Sequence, residues 1–202
     1  MIITFDPIAR LDKETRELAA GMDRAGIRGL VEFYYQLQEH RIALDAQVRE
    51  LEAAEKPAGL TSHFATEIGR LERQMPPVLQ RWVEARKPGE WLLSIFGIGP
   101  VISAGLLAHI DITRAPTVGH IWAFAGLDPT KKWGKGEKRP HNAALKTLCW
   151  KAGDSFVKFR GDERCYYGHL YAEKKAKIIA RNESGEFAEL AKATLEQRNI
   201  KD

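Results

Sequence analysis

"SIFGIGPVISAGLLAHI", Ser94–Ile110, carries no charged residue in a chain that is 29% charged. Extended back to Trp91, the run is about long enough to cross a bilayer. Gly97, Gly99 and Pro100 in its middle would break a helix in water, and neither flank offers a basic cluster or an aromatic belt, which argues against a membrane span. The alternative is a buried, broken helix pair: "EWLLSI" as a short helix, "FGIGP" as a tight turn, and "PVISAGLLAHI" as a second helix with Pro100 in its permitted first turn. This is a helix-hairpin-helix pattern. Its glycines let a phosphate approach the backbone, and the open N–H groups of the second helix can donate to anionic oxygens. The candidate contacts are the backbone of Gly97, Ile98 and Gly99, which would position a duplex without reading its sequence. The plainer reading is a helix-helix turn whose glycines only permit close packing.

Working outward toward the N-terminus, "GLVEFYYQLQEHRIALDAQVRELEAA" places Leu30, Tyr34, Leu37, Arg41, Leu44, Val48 and Leu51 at strict four-three spacing, apolar except at Arg41. Phe64, Ile68, Leu71, Met75, Val78 and Trp82 repeat that spacing after a turn marked by Pro57 and Gly59. The expectation is an antiparallel coiled-coil hairpin over residues 1–88, with Ser62 as N-cap of its second helix and a kink or restart at Pro76–Pro77. Arg41 either pairs with an acidic residue or extends outward on its long stem. A single buried stripe on a two-helix hairpin predicts self-association into a homo-oligomer. "KPGE", Lys87–Glu90, marks the expected boundary to a second domain over residues 89–202, so the predicted class is all-α.

Charge supports a polyanionic partner. From Met1 to Glu90 there are thirteen Lys/Arg against fifteen Asp/Glu, whereas from Lys131 to Arg181 there are fourteen against five. Such segregation is a frequent footprint of nucleic-acid binding, and solvated basic helices are its plain alternative. Lys131, Lys132, Lys135, Lys138 and Arg139 in "TKKWGKGEKRPHN" form a candidate electrostatic clamp. Trp133 among them either stacks on an exposed base or folds back on the domain. Trp150 and Phe156 are expected in the core of "HNAALKTLCWKAGDSFVKF", on the stripe of Leu145, Leu148 and Ala152. The two cysteines show no CxxC or paired spacing, and the start "MIITFDPIARLDKE" lacks the features of a secretory signal, so a reducing, cytoplasmic setting is expected.

No catalytic or metal constellation stands out. Asp111 reads as a helix end or cap, Asp128 as part of a turn before Pro129, and Ser103 as a packed or back-bonded helix residue. His109, His120, His141 and His169 lack the HxxxH or HExxH spacing of a metal site.

"GIGPVISAGLLAHI", then "TVGHIWAFAGLDP" and the basic loop, in this order from about Trp91 to about Phe159, resemble the C-terminal transposase domain of the insertion-sequence-110 family, relatives of the Piv invertase. Members also place a coiled-coil segment ahead of this domain. The resemblance implies a role in transposition or site-specific recombination, with DNA as partner. A structured RNA stays open as a second partner, since family members work with a guiding RNA. Family recombinases begin with an RNase-H-like domain whose carboxylate tetrad holds divalent metal; residues 1–90 are taken up by the hairpin, so no metal site or other cofactor carries over. The family's serine nucleophile follows its "GLxP" motif, where Trp133 and Gly134 stand in place of a Ser-Gly pair. Thr130, the loop's one hydroxyl, sits too near "GLDP" to replace it. The expectation is a nucleic-acid-binding protein that does not cut DNA by itself. Its rivals are a recombinase subunit receiving metal carboxylates from a second polypeptide, and an oligomeric adaptor. The tail "YYGHLYAEKKAKIIARNESGEFAELAKATLEQRNIKD" reads as two helices broken near Glu183–Gly185, and whether the sequence is a piece of a longer protein stays open.

Overall fold

The computed structural model describes residues 7–197. Among them the elements are α1 (Lys13–Glu17), a 3₁₀ turn (Leu18–Gly21), α2 (Arg24–Ala53), α3 (Gly59–Glu84), α4 (Gly89–Ser94), α5 (Pro100–His109), α6 (Val118–Phe124), α7 (Ala143–Lys158), α8 (Tyr166–Glu183) and α9 (Ala188–Gln197), with no strand. The all-α expectation therefore holds. No helix among the described residues is long and apolar enough to cross a membrane. The chain divides into two compact units between Ala152 and Gly153, so the core of the first unit extends across the boundary expected at residue 88.

In the first unit α2 begins at Asp23, whose carboxylate accepts from the Gly26 N–H at 2.7 Å, satisfying one of the open donors of the first turn. It packs antiparallel to α3: the Trp82 indole donates to the Met22 carbonyl at one end, and Arg41 pairs with Glu72 further along. Arg41 thus turns inward to an acidic partner, and its stem crosses the space a side chain at Gly69 would fill. Arg86 closes the Trp82 end, with its guanidinium 3.5 Å from the indole ring centre and a bond to the Met22 carbonyl.

The buried stripes differ from the four-three seams because α5 lies against both helices. Ile27 and Val31 of α2 and Leu79, Trp82 and Val83 of α3 enclose Val101, Ala104 and Ala108 of α5 in one core. Seam residues beyond its reach, such as Leu44, Val48, Leu51 and Ile68, are only half-buried, and Phe64 is exposed. A two-helix end covers one side of each stripe; a third helix covers the other. Ser62 does not cap α3. The helix already starts at Gly59, and the Ser62 carbonyl accepts from Thr66 inside it. Nor does α3 restart at its prolines. It runs through Pro76 and Pro77, forgoing two backbone donors while Met75, Val78 and Leu79 around them are buried.

A second cluster joins Ala125, after α6, to Leu145 and Leu148 of α7, with Ile102, Leu106 and Ile110 packed against it. α5 and α7 approach closely because Gly105 has no side chain: a Cβ there would stand 2.6 Å from Leu148 Cδ2. Trp150 is not on this stripe and is 66% exposed. At about 100° per residue it lies roughly 200° from Leu148, on the opposite face.

Within the second unit, Phe156 is half-buried and stacks at a tilt on Tyr167, 4.9 Å between centres. Gly168 of α8 packs against the Phe156 carbonyl and the Arg160 backbone. The expected break between the last two helices falls at Ser184–Phe187, where Gly185 has φ +80°. The chain ending and residues 1–6, part of the start read above, lie outside the described residues.

Candidate nucleic-acid interface

The turn between α4 and α5 is built as its residue types require. Gly97 adopts φ +96°, a conformation that favours glycine. The Ile98 N–H donates to the Ile95 carbonyl at 3.0 Å, closing the turn. Gly99 is the N-cap of α5 with φ −88° and ψ 178°, and Pro100 opens the helix. Gly99 is unlike Gly97: its backbone is one any residue can adopt, and a Cβ placed on it meets nothing within 4 Å. The fold itself does not demand a glycine there, and the approach to this helix end is open.

The backbone donors of the turn are not all equally available. The Ile98 N–H is already used within the turn. Pro100 has none, and Gly99 offers no side-chain cap, so the N–H groups of Val101 and Ile102 join that of Gly99 as donors at the start of α5. The signal for them was present in the sequence, because a proline at the first helical position moves the first donors one residue on.

The basic loop lies at another place. Lys131 to Pro140 are all exposed. The loop is anchored at its start by Asp128, whose Oδ1 accepts from both N–H and hydroxyl of Thr130, bonds that hold its carboxyl below the usual range. In mid-loop the Gly134 N–H donates to Glu137 at 2.7 Å, and Gly136 turns with φ +88°. Trp133, 44% exposed, meets His141 edge-on with ring centres 5.1 Å apart, and the Arg139 guanidinium stands 5.8 Å from the indole centre. The tryptophan thus folds back on its domain while keeping much of its surface open.

His141 itself rests on Gly126, whose φ of +69° and the 2.6 Å from its would-be Cβ to the imidazole both call for glycine. Loss of water contact, then Lys146 and Arg139, push the His141 pKa below its ordinary value. Next in sequence, Asn142 fixes the start of α7: its side-chain oxygen accepts from the Leu145 N–H, its own N–H donates to the Phe124 carbonyl, and its amide meets His109 Nδ1 at 3.3 Å.

The last contact places the two candidate surfaces. His109 ends α5 and Gly99 begins it, so the loop feeding Asn142 stands near one end of a ten-residue helix and the glycine turn at the other, about 15 Å apart along the axis. Lys131, Trp133 and Arg139 gather around His141; Lys132, Lys135 and Lys138 extend from the exposed loop; Gly97, Ile98 and Gly99 form a separate surface.

The remaining polar residues are committed locally. Asp111 does not cap α5, which ends through Ile110. It accepts from the N–H and hydroxyl of Thr113 and lies 3.6 Å from Arg24. Ser103 is fully buried, and its hydroxyl has no hydrogen-bond partner, so it is packed but not back-bonded. Among the described residues no three His, Cys, Asp or Glu are grouped as metal ligands.

The glycine turn and the basic loop both fall within the segment from α4 to the start of α8. Residues 89–166 match the C-terminal transposase domain model of the transposase IS116/IS110/IS902 family. No curated protein and no solved structure matches the chain.

Proposed function

We propose that this protein binds nucleic acid during transposition or site-specific recombination and supplies contacts to the phosphate backbone rather than the cutting chemistry. The observation that carries the reading is the loop Lys131–Arg139, exposed along its whole length, with five cations and a single carboxylate, Glu137, that is already bonded to the Gly134 N–H. The open N-terminus of α5 adds a second phosphate contact through Val101 and Ile102 N–H, with Gly99 leaving room for the anion. Contacts of both kinds are sequence-independent.

The half-open stripes at the far end of the α2–α3 hairpin, where Phe64 and Leu60 are more than half exposed, support self-association through that end. Light scattering at high concentration is expected to show an oligomer, and a strict monomer would overturn that part.

The test of binding is an electrophoretic shift series with duplex DNA, single-stranded DNA and structured RNA at several salt concentrations. Affinity is expected to fall steeply with salt. Gly99→Val is expected to weaken binding to all sequences alike while leaving the fold intact, because a Cβ there has nothing within 4 Å and the extended backbone suits a β-branched residue. Salt-independent binding, or a folded Gly99→Val protein with native affinity, would overturn the corresponding contact. A covalent protein–DNA adduct formed by the purified chain would overturn the non-cutting role.

A further inference from the structure

Behind the basic loop lies a cavity of about 210 Å³ lined in part by Gly126, Asp128, Lys131, Trp133, His141 and Lys146. Its chemistry is not that of a phosphate clamp alone. A phosphate site would be cationic throughout, whereas this one includes a carboxylate, an indole and an imidazole beside two lysines. Nor is it an apolar core defect, since Lys131, Trp133 and Lys146 are exposed at its rim.

We infer that this cavity receives a single unpaired nucleobase carrying an exocyclic amino group, with Lys131 and Lys146 holding the flanking phosphates. The inference rests on the nucleic-acid reading above and names what the loop recognises. Three features support it. First, Trp133 is fixed without being used up: it meets His141 at an interplanar angle of 75° and stays 44% exposed, so indole surface remains for a flat ligand. Stacking of this kind suits any base. Second, Asp128 directs Oδ1 to Thr130, which leaves Oδ2 as an acceptor for an amino group. A base without that group would face the carboxylate with carbonyl oxygens instead. Third, His141 packs closely over Gly126, which places an imidazole wall beside the tryptophan. The cavity has room for one base but not for a base pair, so the ligand must be unpaired or extruded from its stack.

The same chemistry is present in DNA and in RNA, and the experiment separates them. The full chain is titrated by fluorescence polarisation with duplexes that carry one central unpaired adenine, one unpaired thymine (uracil in RNA), or an abasic residue at that position, each as DNA and as RNA. Stacking predicts that adenine binds about 5- to 150-fold more tightly than the abasic probe, with thymine between them. The strand type that shows the preference is the source of the base. Trp133→Ala should bring the adenine-to-abasic ratio close to one, while the slope of affinity against salt changes little. Asp128→Asn, which keeps an oxygen for Thr130, should narrow the adenine-to-thymine gap.

A readout independent of any variant is 2-aminopurine at the unpaired position, whose fluorescence should be quenched by the native protein. Equal affinity for adenine and abasic probes in both DNA and RNA, with no quenching, overturns the base receptor; if plain-duplex binding is intact, the phosphate-contact reading stands. Loss of binding to every probe overturns both.

Discussion

Removing either partner of the Arg41–Glu72 pair should destabilise the α2–α3 hairpin, and the two removals should not cost the same. The Glu72 side chain is 10% exposed and that of Arg41 30%. Truncating one member of a well-buried pair costs about 3–5 kcal/mol, and solvent at the arginine lowers that figure here. Arg41→Ala leaves the carboxylate inside with only the Gln38 amide, 3.4 Å away, and strips the aliphatic stem from over Gly69; a cost of about 2–3 kcal/mol is expected. Glu72→Ala leaves Arg41 its Asp45 partner at 3.1 Å and a path to water, so about 1–2 kcal/mol is expected. The double variant should fall short of the sum by about 1 kcal/mol or more, the coupling of neighbours in one network. Urea denaturation followed by tryptophan emission is a suitable assay. Trp82 is fully buried, whereas Trp91, Trp122, Trp133 and Trp150 are 44–66% exposed, so the emission shift on unfolding reports chiefly on the core that Trp82 occupies. If Arg41→Ala costs no more than Glu72→Ala, or if both lie below about 0.5 kcal/mol, the pair behaves as a solvated surface contact and the reasoning fails.

Other perturbations test other parts of the molecule. Alanine at Lys131, Lys132 and Lys135 together should leave stability unchanged and, if all three meet phosphates, reduce the log-log salt slope on duplex DNA by about 2.7, which an unchanged slope in a folded variant would refute. Ser103→Ala should raise stability by about 1 kcal/mol, since it removes a buried hydroxyl without a partner, and a loss in chemical denaturation would show that the hydroxyl is satisfied in solution. Arg164, bonded through its side chain and backbone N–H, holds Asp162 at a pKa of about 2. Its depressed value means that its contribution to folding is present above the usual carboxylate range and is lost as pH falls toward 2. A carboxyl-carbon NMR titration should show Asp162 ionised at pH 3, and Arg164→Ala should bring its midpoint up toward 3.8.

Much of the architecture was legible in the sequence because it depends on near neighbours along the chain. The repeating stripes required two long helices, Pro57 and Gly59 marked their junction, and Gly97 with Pro100 set a turn and a helix start, since φ limits and missing donors act within a few residues. The basic loop and its tryptophan were likewise visible as composition. Only the tertiary structure decided which faces are covered. Helix α5 arrives from a distant part of the chain and buries Val31, Leu79 and Val83, positions outside the strict seams, while Phe64 at the two-helix end stays open. Glu72 gained its role by facing Arg41 across the hairpin, a register that no spacing within either helix specifies. The glycine turn and the basic loop, close in sequence and similar in chemistry, were separated to opposite ends of α5 because Asn142 meets His109 at one end and Gly99 begins the other. Backbone propensity is settled by adjacent residues, whereas burial and convergence depend on which remote surface supplies the other half of a contact.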